Sequence, residues 1–350
     1  MLLFALFVIL IFVVIVSLIS EDNNDNESVK WAYVGILCLL VLLVGFRPPG
    51  FDTDSQNYVN YYEAVDIGVV ELIEPTFDII SSFARIFDEP QLIFIIYALL
   101  AIPLKGYAIT KLTPLWFLSL AVWMSNYFIL HEFTQIRTAV ATAIFLYAFY
   151  YLLEKRRWVY VWLILLASLF HYSALILLPL AVLGTNPFNS YWRLLLLISP
   201  LLCYGFYFMG IDPMTLIPIP LFQEKMDIYE QLRDTGVDQA LNVFNMMVLF
   251  RLASYYFILW KSREIAKSCP SVYLMLKVMC LSICFYAFFA YMPSMGMRTS
   301  EVFGVIDILI LPTMIYAVKP ELVVKIALGV LSIGLFVMNI FVNHLLNATS

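Results

Sequence analysis

HEFTQIRTAVATAIFLYAFYYLL (131–153) decides how the chain is read, because His131, Glu132, Gln135 and Arg137 open a long apolar run that carries no charge after Arg137. If that run lies in a bilayer, the arginine falls in its first turns. There it costs roughly 2.5–3.5 kcal/mol on insertion scales at the centre of a span, and less near the edge where it can snorkel. A carboxylate of the same chain would offset that cost, and so would a bound anionic substrate. Glu132 and Asp54 are the nearest acidic mates the sequence offers.

Composition supports the bilayer. Of 350 residues, 63% are hydrophobic and 13% charged, against about 25% charged in soluble domains. The mean hydropathy is +0.90. A soluble core cannot bury so much apolar side chain, so the chain is expected to be an all-α polytopic membrane protein, a single integral domain over 1–350. A barrel is disfavoured because the apolar runs are continuous rather than alternating. The first run has no Lys or Arg before it and no small-x-small site after it, so it reads as a retained helix rather than a cleaved signal. No basic stripe suggests nucleic acid. The five cysteines lie mostly in apolar runs and read as small hydrophobes.

About twelve spans are expected, near 2–19, 31–46, 91–109, 114–131, 134–153, 158–170, 172–184, 191–209, 241–260, 271–291, 300–317 and 321–342. The run WVYVWLILLASLFHYSALILLPLAVLG (158–184) is long for one span and short for two, with His171 near its middle. Charge settles the parity. Lys155, Arg156 and Arg157 mark a cytoplasmic loop. With the run split, Lys30, Lys105, Lys111, Arg193, Lys261, Arg263, Lys267, Lys277, Lys319 and Lys325 fall on that side too. Seven basic residues defy the bias: Arg47, Arg85, Arg137, Lys225, Arg233, Arg251 and Arg298.

Two outer regions, 47–90 and 210–240, are long enough to cover the bundle. In the first, the prolines of GFRPPGF (45–51) stop a helix and Gly50 allows a tight turn. Asp54 is positioned to cap a short helix bearing Tyr58, Tyr61, Tyr62 and Val65. Residues 74–87 form a second amphipathic stretch, with Phe77, Ile80, Ile86 and Phe87 facing core or membrane. In the second region a short helix is expected over 222–235.

Several outward arginines suit a substrate with concentrated negative charge, and a diphosphate matches the guanidinium fork. Arg137, Arg47, Arg298 and Gln135 are the candidate diphosphate ligands. Each has a plainer reading: Arg47 as a flanking residue, Arg298 as an i,i+3 partner of Glu301, Arg137 as half of an ion pair. His171 is either a satisfied core histidine, a general base for a sugar hydroxyl, or a donor to the diphosphate. Asp54 caps a helix or orients a catalytic group. Glu132, Tyr58 and Glu301 are secondary candidates. The D-x-D spacing of Asp52 and Asp54 is weak evidence for a metal, and neither metal nor cofactor is expected. Asp307 is a candidate partner for Arg298 or Arg251.

The stretches GFR (45–47), FDTDSQNYVNYY (51–62), EPTF (74–77), Gln135-x-Arg137-x-x-x-Ala141 and FHYSA (170–174) resemble, in order and spacing, the EpsG/Wzy-like family of polysaccharide polymerases. The resemblance implies a GT-C-like membrane glycosyltransferase. Its activity would be to join undecaprenyl-diphosphate-linked repeat units, as donor and acceptor, into O-antigen, capsule or exopolysaccharide. The site would face the periplasm from the bacterial inner membrane, with membrane lipids and a chain-length regulator as partners. It also implies catalytic roles for Arg137, His171 and Asp54. The rivals are a lipid-linked oligosaccharide flippase or transporter, which should show two related halves, and a ligase or acyltransferase acting on surface polysaccharide.

Overall fold

The computed structural model describes residues 1–20, 26–64, 74–211 and 240–347. In chain order its helices are α1 (Leu2–Ser20), α2 (Glu27–Gly45), α3 (Ser55–Ala64), α4 (Pro75–Arg85), α5 (Gln91–Leu112) and α6 (Trp116–Ser125). A π-helical turn (Phe128–Thr134) leads into α7 (Ile136–Leu153), and α8 (Arg157–Phe170) is followed by a 3-10 segment (Tyr172–Val182). Then come α9 (Ser190–Phe208), α10 (Met246–Ile265), α11 (Val272–Phe288), α12 (Pro293–Gly304) and α13 (Glu321–Phe341). Residues 1–182 with 318–350 form one compact unit and 183–317 another.

Among the described residues, seven helices are long and apolar enough to cross a membrane, not the twelve expected. The difference has physical causes. Trp116–Ser125, Arg157–Phe170, Tyr172–Val182 and Val272–Phe288 are apolar but short. Met246–Ile265 is long but carries Arg251, Lys261, Arg263 and Glu264. Length and mean hydropathy are poor guides where a crossing is interrupted or buries charge.

In the first unit, helix directions follow from a few contacts. Tyr33 of α2 donates to the Gly106 carbonyl of α5 at 3.1 Å, and Gln91, at the start of α5, donates to the Gly45 carbonyl at 2.6 Å. The two helices are therefore antiparallel, and Leu37 lies so close over Gly106 that a Cβ there has no room. The α5 and α7 helices run parallel: Phe77 lies near both Tyr97 and Arg137, and the Tyr107 and Tyr147 rings meet at 5.9 Å. One end of the unit thus carries Arg47, Gln91 and Arg137. The other carries Lys30, Lys111 and the basic loop Lys155–Arg157. Lys105 is a correction: it is fully buried within α5, not at a basic helix end.

The run 158–184 folds as a hairpin. His171 adopts an extended conformation (φ −155°, ψ 115°) that stops α8, and the chain turns back until Tyr160 donates to the Leu177 carbonyl at 2.7 Å. His171 stands at the apex. The α6 helix breaks at Asn126, and the π-helical turn carries the chain from Trp116, which packs on Tyr33, to Phe133, which packs on Phe51.

In the second unit Arg251 is held by Asp307 (Nε to Oδ2, 2.5 Å) and by the Ser282 hydroxyl (2.8 Å), so the expected Arg251–Asp307 pairing is present. Lys277, expected at a helix end, is buried, donates to the Gly184 carbonyl at 2.6 Å and lies over the Trp192 ring. The helix expected over 222–235, with Lys225 and Arg233, lies outside the described residues.

Candidate functional site

The end of the first unit bearing Arg137 is built on three chain interruptions. The first is the turn after α2. Pro48 and Pro49 cannot extend the helix, and Gly50 takes a positive φ of 83° that glycine adopts without strain. At the start of α3, Asp52 Oδ1 accepts from the Ser55 amide at 2.9 Å and the Asp54 amide at 3.1 Å. The other oxygen of Asp52 is fixed by Arg47 Nε at 2.8 Å. Asp54 is half-buried in the same turn, and its charge reaches the Tyr58 hydroxyl.

Arg47 is the second correction. Its side chain is wholly buried, and besides Asp52 it donates to the carbonyls of Val44 (2.8 Å) and Phe133 (2.6 Å). Its guanidinium also stacks over Phe94 at 4.4 Å. No face is left for a diphosphate. Glu132 is likewise internal: it pairs with Lys105, both side chains fully buried, and accepts from the Trp123 indole at 3.3 Å. Two buried cations therefore grip the π-helical turn just ahead of Arg137, Arg47 through a backbone carbonyl and Lys105 through a carboxylate. His131, on the same turn, is fully buried with Nδ1 3.5 Å from the Thr142 hydroxyl.

The third interruption is the pair of helix starts and stops that meet at Glu74. This residue is the N-cap of α4, with Pro75 at the first helical position. One carboxylate oxygen takes a hydrogen bond from Arg137 Nη1, and the other takes the His171 Nδ1–H at 2.9 Å. Thr76 donates to the Leu169 carbonyl at 2.8 Å, tying α4 to the end of α8. Below, the Tyr58 and Phe77 rings lie 5.7 and 5.8 Å from the Arg137 guanidinium carbon. Side-chain exposure is graded: 6% for Glu74, 12% for His171 and 25% for Arg137. The carboxylate is interior, while the imidazole and the guanidinium reach the surface.

Electrostatics follow from that arrangement. Burial pushes the Glu74 carboxyl up, but the hydrogen bond from His171 and the charge of Arg137 outweigh it and hold it below the usual carboxylate range. Burial raises the Tyr58 hydroxyl to about 12 despite the Arg137 charge, so it stays protonated. A histidine whose Nδ1–H is held by a carboxylate presents Nε2 as a lone pair, the geometry of an oriented general base. The guanidinium keeps further N–H groups for an anion.

Sequence reasoning thus brings Arg137, His171 and Tyr58 together, with Gln135 half-buried at the break before α7. It passes over Glu74, although that residue opens the EPTF stretch. The signal was an acidic residue directly before a proline and an amphipathic run, in an outer region otherwise rich in aromatics. Arg298 is exposed on α12, with Glu301 half-buried on the same helix.

The model of the EpsG family matches residues 30–349, nearly the whole chain. The chain belongs to the EpsG family. This is a Wzy-like polysaccharide polymerase family, so the expected resemblance is confirmed. No curated protein and no solved structure matches the chain, and the GT-C-like likeness gains no support from known folds. In this EpsG-family protein the stretches EPTF, Gln135-x-Arg137 and FHYSA converge on the Glu74–His171–Arg137 group.

Proposed function

We propose that this EpsG-family protein joins lipid-diphosphate-linked oligosaccharide repeat units by glycosyl transfer, at the periplasmic face of the bacterial inner membrane. The observation that carries the reading is Glu74 bridging Arg137 and His171. It lies at the end of the α7–α8 pair opposite the basic loop Lys155–Arg157, which is the cytoplasmic end by charge bias.

An acceptor hydroxyl on one repeat unit attacks C1 of the donor sugar. The C1–O bond to the donor's diphosphate breaks and its electron pair leaves with the diphosphate oxygen. His171 Nε2 takes the hydroxyl proton, and Glu74 stabilises the resulting imidazolium through Nδ1–H. Arg137 meets the charge that develops on the leaving diphosphate. Diphosphate is already a good leaving group, so the chemistry asks for no general acid.

The test is the glycolipid profile of a deletion strain complemented with wild type or R137A. A polymerase lacking its arginine leaves single repeat units on the exported lipid carrier, whereas a lost flippase leaves no exported unit. Full-length polymer with R137A inserted normally would overturn the assignment. So would the loss of exported single units.

A further inference from the structure

We propose that the segment from Asn339 to Asn347, at the end of α13 and just beyond it, positions Arg137 for the transfer by gripping the π-helical turn (Phe128–Thr134) at both ends. The inference rests on the reading of Arg137 as the group that meets the leaving diphosphate. Asn339 is buried, and every polar atom of its side chain is bonded. Its Nδ2 donates to the Ser125 carbonyl and to Asn126 Oδ1, each at 3.1 Å, at the break between α6 and the π-helical turn. Its Oδ1 accepts from Asn343 Nδ2 at 2.7 Å, and its carbonyl accepts from the Leu345 amide at 3.1 Å. The chain that leaves α13 is thereby folded back on the end of its own helix.

From there it reaches the loop that follows α2. Leu346 is buried and pairs with Asp52 in an antiparallel bridge, and the Asn347 amide donates to the Phe51 carbonyl at 2.8 Å. The Asn347 side chain donates to the Gly50 carbonyl. Two paths then lead to the far end of the π-helical turn. The Phe51 ring packs on Phe133 at 5.8 Å, and the Asp52 carboxylate fixes Arg47, which donates to the Phe133 carbonyl. Arg137 follows Phe133 closely in the chain. A π turn takes in more residues than an α turn, so slack in it would rotate the start of α7 and carry the guanidinium off its target. Interhelical amide hydrogen bonds add little stability within a membrane. Orientation accounts better than stability for so fully bonded a buried asparagine.

Asn347 is exposed and gives a test that leaves the core closed. N347A removes the bond to Gly50, and N347P removes the bond to Phe51 as well, because proline has no N–H. The full chain is reconstituted in proteoliposomes with lipid-linked single repeat units extracted from the deletion strain. The rate of unit addition is then followed against their concentration. Since misplacing a reacting group by about an ångström costs up to roughly a hundredfold, kcat should fall from wild type through N347A to N347P, by on the order of tenfold in the last. KM should stay as in wild type, because the contact that is lost is made in the transition state. In R137K, where the fork is already gone, N347P should cost nothing further. Wild-type kcat in N347P overturns the inference. So does the same fold-loss from N347P in R137K as in wild type, which would mark the segment as a support of the fold alone. Wild-type addition by R137K overturns the reading of Arg137 itself, and the inference with it.

Discussion

Arg47 donates to the carbonyl oxygen of Phe133 at 2.6 Å, and so clamps the backbone that delivers Arg137 to the surface. An arginine that looks like a substrate ligand in the sequence is an internal strut, and its pairing with Asp52 is wholly buried. Truncating one member of such a pair leaves a buried charge unpaired, at a cost of about 3–5 kcal/mol. R47A and D52A should therefore lower the unfolding temperature in detergent and the amount of protein in the membrane. R137A, whose side chain is a quarter exposed and whose partner Glu74 keeps its hydrogen bond from His171, should lower both by less.

Lys105 and Glu132 make a parallel case. K105M or E132Q alone should destabilise strongly. The apolar double variant K105M/E132L should recover most of the loss, since a buried ion pair can be replaced by packing at little net cost. Thermal unfolding of the three proteins checks this; a double variant as unstable as the sum of the singles would contradict it.

At Arg137, lysine keeps the charge and loses the fork. If the guanidinium meets a diphosphate through paired N–H groups, R137K should lower chain extension on the order of a hundredfold, as loss of an electrostatic donor does in other enzymes. Quantifying lipid-linked glycans in membranes with matched protein levels reads this out. Wild-type extension by R137K would show that the fork is not used.

Acid should act through Glu74. Its folded pKa lies below the ordinary value of 4.5, so its contribution to stability is complete above 4.5 and is lost as pH falls through the lowered folded value. The stability gap between wild type and E74Q should be constant from neutral pH down to about 4.5, and should close only below that. A gap that closes between pH 5 and 7 would mean that Arg137 and His171 do not hold the carboxylate.

What could be read from the chain in advance follows physical lines. Hydropathy and charge bias reveal a helical membrane protein and place the break of 158–184 at His171, because a polar residue within apolar sequence marks the end of a helix. The number of crossings was not legible, since α6 stops at Asn126 and α10 buries Arg251 against Asp307. Arg137 and His171 were legible as candidate groups because polar residues at helix ends stand out against apolar runs. Glu74 and the sealing of Arg47 were not, because which carboxylate meets which cation depends on tertiary pairing: Asp52, five residues on, took Arg47, and Glu74, far from both partners in sequence, took Arg137 and His171.

The central claim is that Glu74 makes one site of His171 and Arg137. Its most direct measurement is the repeat-unit length distribution on the lipid carrier in membranes carrying E74A, E74Q or H171A at wild-type protein levels. The account predicts that E74A and H171A stall at single repeat units. E74Q, which can still accept from His171 Nδ1 but no longer balances Arg137, should extend weakly. Normal polymer from E74A or H171A would contradict it.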